Sequence, residues 1–184
     1  MKDLSMHIMD IFQNSISASA TLIRLDIIED THDNFLTLEF TDNGKGMTKE
    51  ATLKVTDPFF TTRTTRQVGL GIPLLKQNAE RTGGYFSIHS MEGSGTTVTA
   101  QFVLDHLDRP VLGDIPGAVV LTAMSNPHVG FIYTHTKNDK KYSFSTTEVQ
   151  EALGDVQLND PLVYQYLREM ITENLNEIGV TLTL

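Results

Sequence analysis

Three groups of residues in the first hundred positions have types and spacings that could do chemistry. Thr41-Asp42-Asn43-Gly44-Lys45-Gly46-Met47 follows the apolar run 35–40. An acidic residue at a strand end, with two closely spaced glycines, sets an acceptor carboxylate beside backbone that a flat ligand can approach. That is the chemistry of an adenine pocket, although Asp-Asn-Gly is also an ordinary turn signal. The second group, Asp57-Pro58-Phe59-Phe60-Thr61-Thr62-Arg63-Thr64-Thr65-Arg66, forms a loop in which Pro58 restricts Asp57 to extended geometry. Its aromatics can anchor it, and its two arginines with the neighbouring hydroxyls, Thr62 among them, could clasp phosphate. In the third, Gly69-Leu70-Gly71 leads into a helix at 72–82 with Pro73 in its first turn. Unbonded first-turn amides and the positive dipole end suit an anion. The third glycine of a dinucleotide fingerprint is missing, and no Gly-x-x-x-x-Gly-Lys-Ser/Thr loop occurs.

These groups need elements to position them. Residues 3–19 predict an amphipathic helix. At about 100° per residue, Leu4, Ile8, Met9, Ile11, Phe12 and Ile16 share one broad arc, while His7, Asp10, Asn14 and Ser17 gather on the other side. That polar stripe is either a solvated face or, with Asp10 and Asn14 one turn apart, one wall of a ligand site. Alternation predicts strands at 20–29 and 35–41 and, around the loop Glu92-Gly93-Ser94-Gly95, at 85–91 and 96–104. A short helix is expected at 48–55. The charged, proline-containing stretch 105–114 reads as a boundary. Beyond it the pattern predicts a helix at 116–125, strands at 129–136 and 141–145, and helices at 146–153 and 161–178, the last capped by Asn159 or Asp160. His128 and His135 read as turn and strand-face residues.

Bulk properties narrow the function classes. The net charge is −9, with 9 basic against 14 acidic residues in 1–108 and 5 against 9 in 109–184. No large basic surface is available for nucleic acid or an anionic membrane. The absence of cysteine excludes disulfides, thiolate metal sites and cysteine nucleophiles. With no signal-peptide core and no run approaching roughly 18 apolar residues, a cytoplasmic location is expected. No feature fixes an oligomeric state.

The order of the motifs is more specific than any one of them. Residues 3–104 resemble the ATPase superfamily of gyrase B, the heat-shock chaperones, histidine kinases and MutL, the Bergerat fold. Asp57-Pro-Phe-Phe-Thr-Thr-Arg, Gly69-Leu-Gly-Ile-Pro-Leu and Ser90-Met-Glu-Gly-Ser-Gly-Thr-Thr-Val are similar to the histidine kinase catalytic domain. Asn14-Ser15 with Ala18-Ser19-Ala20-Thr21 looks more like MutL. The resemblance implies an α+β fold, a two-layer α/β sandwich whose mixed sheet carries helices on one face. Residues 1–107 would form this ATP-binding domain, and 108–184 a small C-terminal α/β extension with a regulatory or partner-binding role.

Carried over, the resemblance implies that Asn14 ligates Mg²⁺ between the ATP phosphates, as a neutral oxygen donor suited to that cation. Asp42 would accept from the adenine amino group. Gly44 and Gly46 would let the base lie against backbone, with Met47 near its face and Thr96 closing the pocket close to Asp42. Gly69, Leu70 and Gly71 would flank the triphosphate, and Thr62, Arg63 and Arg66 would approach the outer phosphates. In hydrolysing members a Glu one turn before the metal asparagine activates water. Here that position is Asp10, one methylene shorter, so hydrolysis should be slow at best. Histidine kinases carry their acceptor histidine on an upstream helix, and His7 does not match that motif.

Two functions of different class follow. One is phosphoryl transfer from ATP to a partner protein in signalling, as by a sensor histidine kinase. The other is an ATP-gated interaction module, resembling MutL or anti-sigma proteins. Asn126-Pro127-His128-Val129-Gly130-Phe131, similar to the MutL transducer passage, speaks for the second.

Overall fold

The computed structural model describes residues 3–57, 70–154 and 160–182. Helix α1 (Leu4–Ser17) opens at Asp3, whose side chain accepts from the Met6 amide. Strands β1 (Leu22–Asp30) and β2 (Phe35–Asp42) form the first hairpin, followed by the short helix α2 (Lys49–Lys54), which Thr48 caps. Helix α3 (Gly71–Arg81) precedes the hairpin β3 (Tyr85–Met91) and β4 (Gly95–Val103). Then come α4 (Ile115–Ser125), β5 (Gly130–Lys137), β6 (Lys140–Ser145), α5 (Thr146–Leu153) and α6 (Pro161–Glu177). Asp160, rather than Asn159, supplies the side-chain cap of α6, accepting from the Leu162 amide.

One six-stranded mixed sheet has the order β3-β4-β2-β1-β5-β6. All its neighbours are antiparallel except β1 and β5. Period-two alternation sends Ile23, Leu25, Ile27, Leu36, Leu38, Phe40, Val98, Phe102, Phe131 and Tyr133 to one buried face, against the helices. Phe12 of α1 stands edge-on to both Phe40 and Phe131, tying the helix layer to the sheet. The opposite face carries Arg24, Asp26, Glu39 and several threonines, giving a two-layer α+β sandwich.

Residues after 107 continue this same sheet. The stretch 105–114 is strapped to the start of α1, where the Leu4 and Ser5 amides donate to the Val111 and Leu112 carbonyls. Helix α4 packs against α1 and α6.

Two features of α1 differ from the expected amphipathic pattern. Met9 is 42% exposed, although it sits on the apolar arc. The polar stripe is a shoulder rather than the outer face, because α1 is flanked by α3 as well as by the sheet and α4. Its rotation leaves Met6, Met9, Gln13 and Ser17 outward, Asp10 and Asn14 half-buried, and His7 fully buried.

Candidate functional site

Asp42 ends β2 on the inward face, and the structure fixes its carboxylate through both oxygens. The Ser15 hydroxyl donates to Oδ2 at 2.7 Å and the Gly44 amide to Oδ1 at 2.9 Å. Two lone pairs per oxygen leave one acceptor position on each. Ser15 is buried on the last turn of α1, directly after Asn14, so the two ends of the site share that helix.

The glycines around Asp42 are required by the protein's own backbone. A Cβ on Gly44 would stand 2.8 Å from the Ala18 carbonyl oxygen, which also accepts from the Lys45 amide at 2.8 Å. Gly46 has φ +66°, and a Cβ there would lie 2.0 Å from the Met91 carbonyl oxygen. The loop is thus pressed between the end of α1 and the β3–β4 turn. Asn43 fastens it from the other side, its side-chain oxygen accepting from the Thr21 and Leu22 amides at 2.9 Å.

Thr96 lies directly opposite Asp42 in the sheet. Its hydroxyl is 2.8 Å from that of Ser90, which donates to the Gly95 carbonyl and accepts from the Met47 amide at 2.9 Å. With Ser90 so committed, Thr96 donates to it and keeps its own oxygen as an acceptor.

Further along α1, Asp10 abuts the first turn of α3. A Cβ on Gly71 would stand 3.0 Å from the Asp10 Cβ and 3.1 Å from its Oδ2, so only glycine fits without displacing Asp10. Leu70, 43% exposed, occupies the α3 cap position and makes no side-chain cap bond, so among the described residues no side chain caps the first-turn amides. One turn earlier on α1, His7 Nε2 lies 3.0 Å from the Asn78 amide nitrogen of α3. Burial lowers the His7 pKa to about 4, against a smaller opposing effect of the Gly71 backbone. That backbone is close enough to favour the charged ring, yet Nδ1 makes no hydrogen bond among the described residues.

Asp10, Asn14, Asp42, Gly44, Gly46, Met47, Leu70, Gly71 and Thr96 are therefore strung along α1 and the adjoining strand ends. Thr62, Arg63, Arg66 and Gly69 lie outside the described residues. Sequence reasoning assigned no role to Ser15, Asn43, Ser90 or Asn78. Ser15 stands next to Asn14 and Ser90 begins the quoted hairpin motif, so both had a local signal; Asn78 had none.

The model of the family described as "Histidine kinase-, DNA gyrase B-, and HSP90-like ATPase" matches residues 2–106. The chain belongs to this family. An NtrY-like sensor histidine kinase of Rickettsia conorii is 31% identical over 85 residues, which are 46% of this chain and 14% of that protein. The chain thus spans about a seventh of that relative's length. Among solved structures, the N-terminal domain of a DNA repair protein aligns with a TM-score of 0.54 at 14% identity, covering 97% of this chain and 57% of that one. The Aquifex aeolicus MutL ATPase domain complexed with ADP aligns at 0.50 and 15% identity, covering 83% and 69%. These likenesses support the ATPase fold with both histidine kinase-like and MutL-like features. Among the described residues no helix is long and apolar enough to cross a membrane.

Proposed function

We propose that this chain binds ATP with Mg²⁺ and passes the γ-phosphoryl group to a side chain of a partner protein in cytoplasmic signalling, as the catalytic module of a sensor histidine kinase does. The observation that carries the nucleotide assignment is the Asp42 carboxylate, oriented by Ser15 and Gly44 with one acceptor position left on each oxygen. That acceptor suits the adenine amino group, which guanine does not offer at the same position. The Thr96 oxygen beside it has the same character.

At the phosphate end the donor set also fits. Asn14 offers a neutral amide oxygen to Mg²⁺, a hard cation that prefers oxygen ligands. When bound, Mg²⁺ would offset the phosphate charge that an acidic protein otherwise repels. The α3 entrance at Leu70 and Gly71 has no side-chain cap among the described residues, which suits its amides to the phosphates, and Gly69 would flank them. Thr62, Arg63 and Arg66 supply the local hydroxyl and cations for the outer phosphates. Asp10, held against Gly71, has a shorter reach than Glu and activates water slowly.

One observation favours a second reading, an ATP-gated interaction module. Helix α1, which carries Asp10 and Asn14, packs on α4, and β1 pairs in parallel with β5. In this reading residues 108–184 pass the nucleotide state to the partner. Incubation of the purified chain with γ-labelled ATP, alone and with co-purifying proteins, separates the two. Label on a partner side chain is expected for transfer. Tight ATP binding with neither transfer nor hydrolysis would overturn the first reading and leave the second.

A further inference from the structure

The sheet end remote from Asp42 carries a partly open cavity. Ile23 pairs with Asp42 and Glu29 with Leu36 in the β1–β2 register, so the two ends are roughly 20 Å apart at 3.3 Å per residue. This cavity, about 280 Å³ in volume, has Leu36, Leu104 and Leu112 among its walls and Glu29, Lys137 and Arg109 at its polar positions.

The charges there do not cancel. Lys137 Nζ lies 3.3 Å from Glu29 Oε2 and donates to the Gly179 carbonyl at 2.7 Å, so these two neutralise each other. Arg109 is different. Its Nε and Nη1 donate to the Leu104 and Pro110 carbonyls, and among the described residues no carboxylate lies within ion-pair distance of it. Those carbonyls hold the guanidinium in place while Nη2 makes no hydrogen bond among the described residues. Burial pulls the Arg109 pKa below its ordinary value, against a smaller opposing pull from the Glu29 carboxylate, which His135 and Lys137 also share; the arginine stays charged.

A guanidinium fixed by two carbonyls and not ion-paired among the described residues, in a cavity with leucines among its walls, selects a single negative charge on an apolar body. We propose that this cavity is a binding site for a short-chain aliphatic monocarboxylate, its carboxylate on Arg109 and its hydrocarbon against Leu36, Leu104 and Leu112. The volume falls just under the range of about 300–1,000 Å³ usual for drug-sized ligands, which fits a body of a few carbons. Phosphate would satisfy the charge but leave the leucine walls without a use. An α-amino acid would bring its ammonium toward Lys137 and Arg109.

Amide spectra of the ¹⁵N-labelled full chain, titrated with acetate, butyrate and valerate, test this. Saturable shifts are expected at Thr31, Leu104, Val111 and Thr181, with affinity rising about fourfold per methylene. Valeramide, valine and inorganic phosphate should each bind at least tenfold more weakly than valerate. Arg109→Gln should weaken valerate binding at least tenfold. Because Arg109 also bonds two carbonyls, Val111→Phe gives an independent test: it narrows the cavity, leaves the cation in place, and should cost a similar factor. Absence of saturable shifts with valerate would overturn the proposal. So would equal or tighter binding of valeramide, valine or phosphate, or unchanged valerate affinity in Val111→Phe.

Discussion

Two carboxylates sit on the inward face of one sheet, at opposite ends, and they are held in different ways. Asp42 is bonded by a hydroxyl and a backbone amide. Glu29 is bonded by ionisable side chains: His135 Nε2 lies 2.9 Å from its Oε1 and Lys137 3.3 Å from its Oε2, with Tyr133 in turn 2.7 Å from His135 Nδ1. Burial alone would push Glu29 up, but the His135 and Lys137 interactions outweigh it and hold the carboxyl below its usual range. His135 and Tyr133 are 0% and 1% exposed. The Glu29 end spends its partners on internal stability, whereas the Asp42 end orients an acceptor and leaves part of its capacity for something else. Asp42, held by neutral donors, keeps acceptor capacity for a ligand; the Glu29 carboxylate is already committed to His135 and Lys137.

The largest effect is expected at the Glu29 end. Glu29→Ala leaves Lys137 and His135 without their carboxylate and should lower the unfolding free energy by about 3 kcal/mol, measured by urea denaturation, with ATP affinity unchanged. A large loss of ATP binding in a still-folded variant would mean the two ends are not separate.

Acid should act on His7 and on Glu29 in different windows. His7 titrates at about 4 when folded against 6.5 unfolded. The unfolded chain therefore binds the extra proton first, and stability present above pH 6.5 is lost as pH falls toward 4, by up to about 3 kcal/mol. Glu29, with its folded pKa also depressed, keeps its contribution above the ordinary carboxylate range and loses it only below about pH 4.5. His7→Gln should flatten the stability profile between pH 6.5 and 4 and leave the lower limb in place. An unchanged upper limb would remove His7 from the account.

The Asp42 end should respond to smaller changes. Gly46→Ala forces a Cβ to within 2.0 Å of the Met91 oxygen at φ +66° and should cost about 2 kcal/mol in thermal or urea unfolding. Ser15→Ala removes one charge-assisted bond to Asp42 and should cost about 1 kcal/mol of nucleotide affinity, roughly fivefold by calorimetry.

Much of this was legible in the sequence because it rests on local pattern. The strand pairs follow from alternation and their turn residues, the α6 cap from the choice of Asn159 or Asp160, and the end of α3 from Gly83; the caps at Thr48 and Asp114 were not read. The parallel pairing of β1 with β5 was not legible. The two strands are about a hundred residues apart, and nothing in either states its neighbour. The same distance hid the Glu29–His135 contact: His135 reads as a strand-face residue, and it is one, but its partner is supplied by the pairing. At the site, Asp42 and its glycines were visible as a motif. That Gly44 and Gly46 are demanded by Ala18 and Met91 needed the packed loop. His7 looked like part of a polar stripe because a helical wheel contains no α3.

The central claim is that the Asp42 carboxylate is the base-reading group of an ATP site. Calorimetric titration of Mg²⁺–ATP into the natural chain and into Asp42→Asn tests it most directly. Saturable one-to-one binding is expected in the first and at least a tenfold loss in the second, since one acceptor becomes a donor facing the adenine amino group. Equal affinity in the two proteins would contradict it.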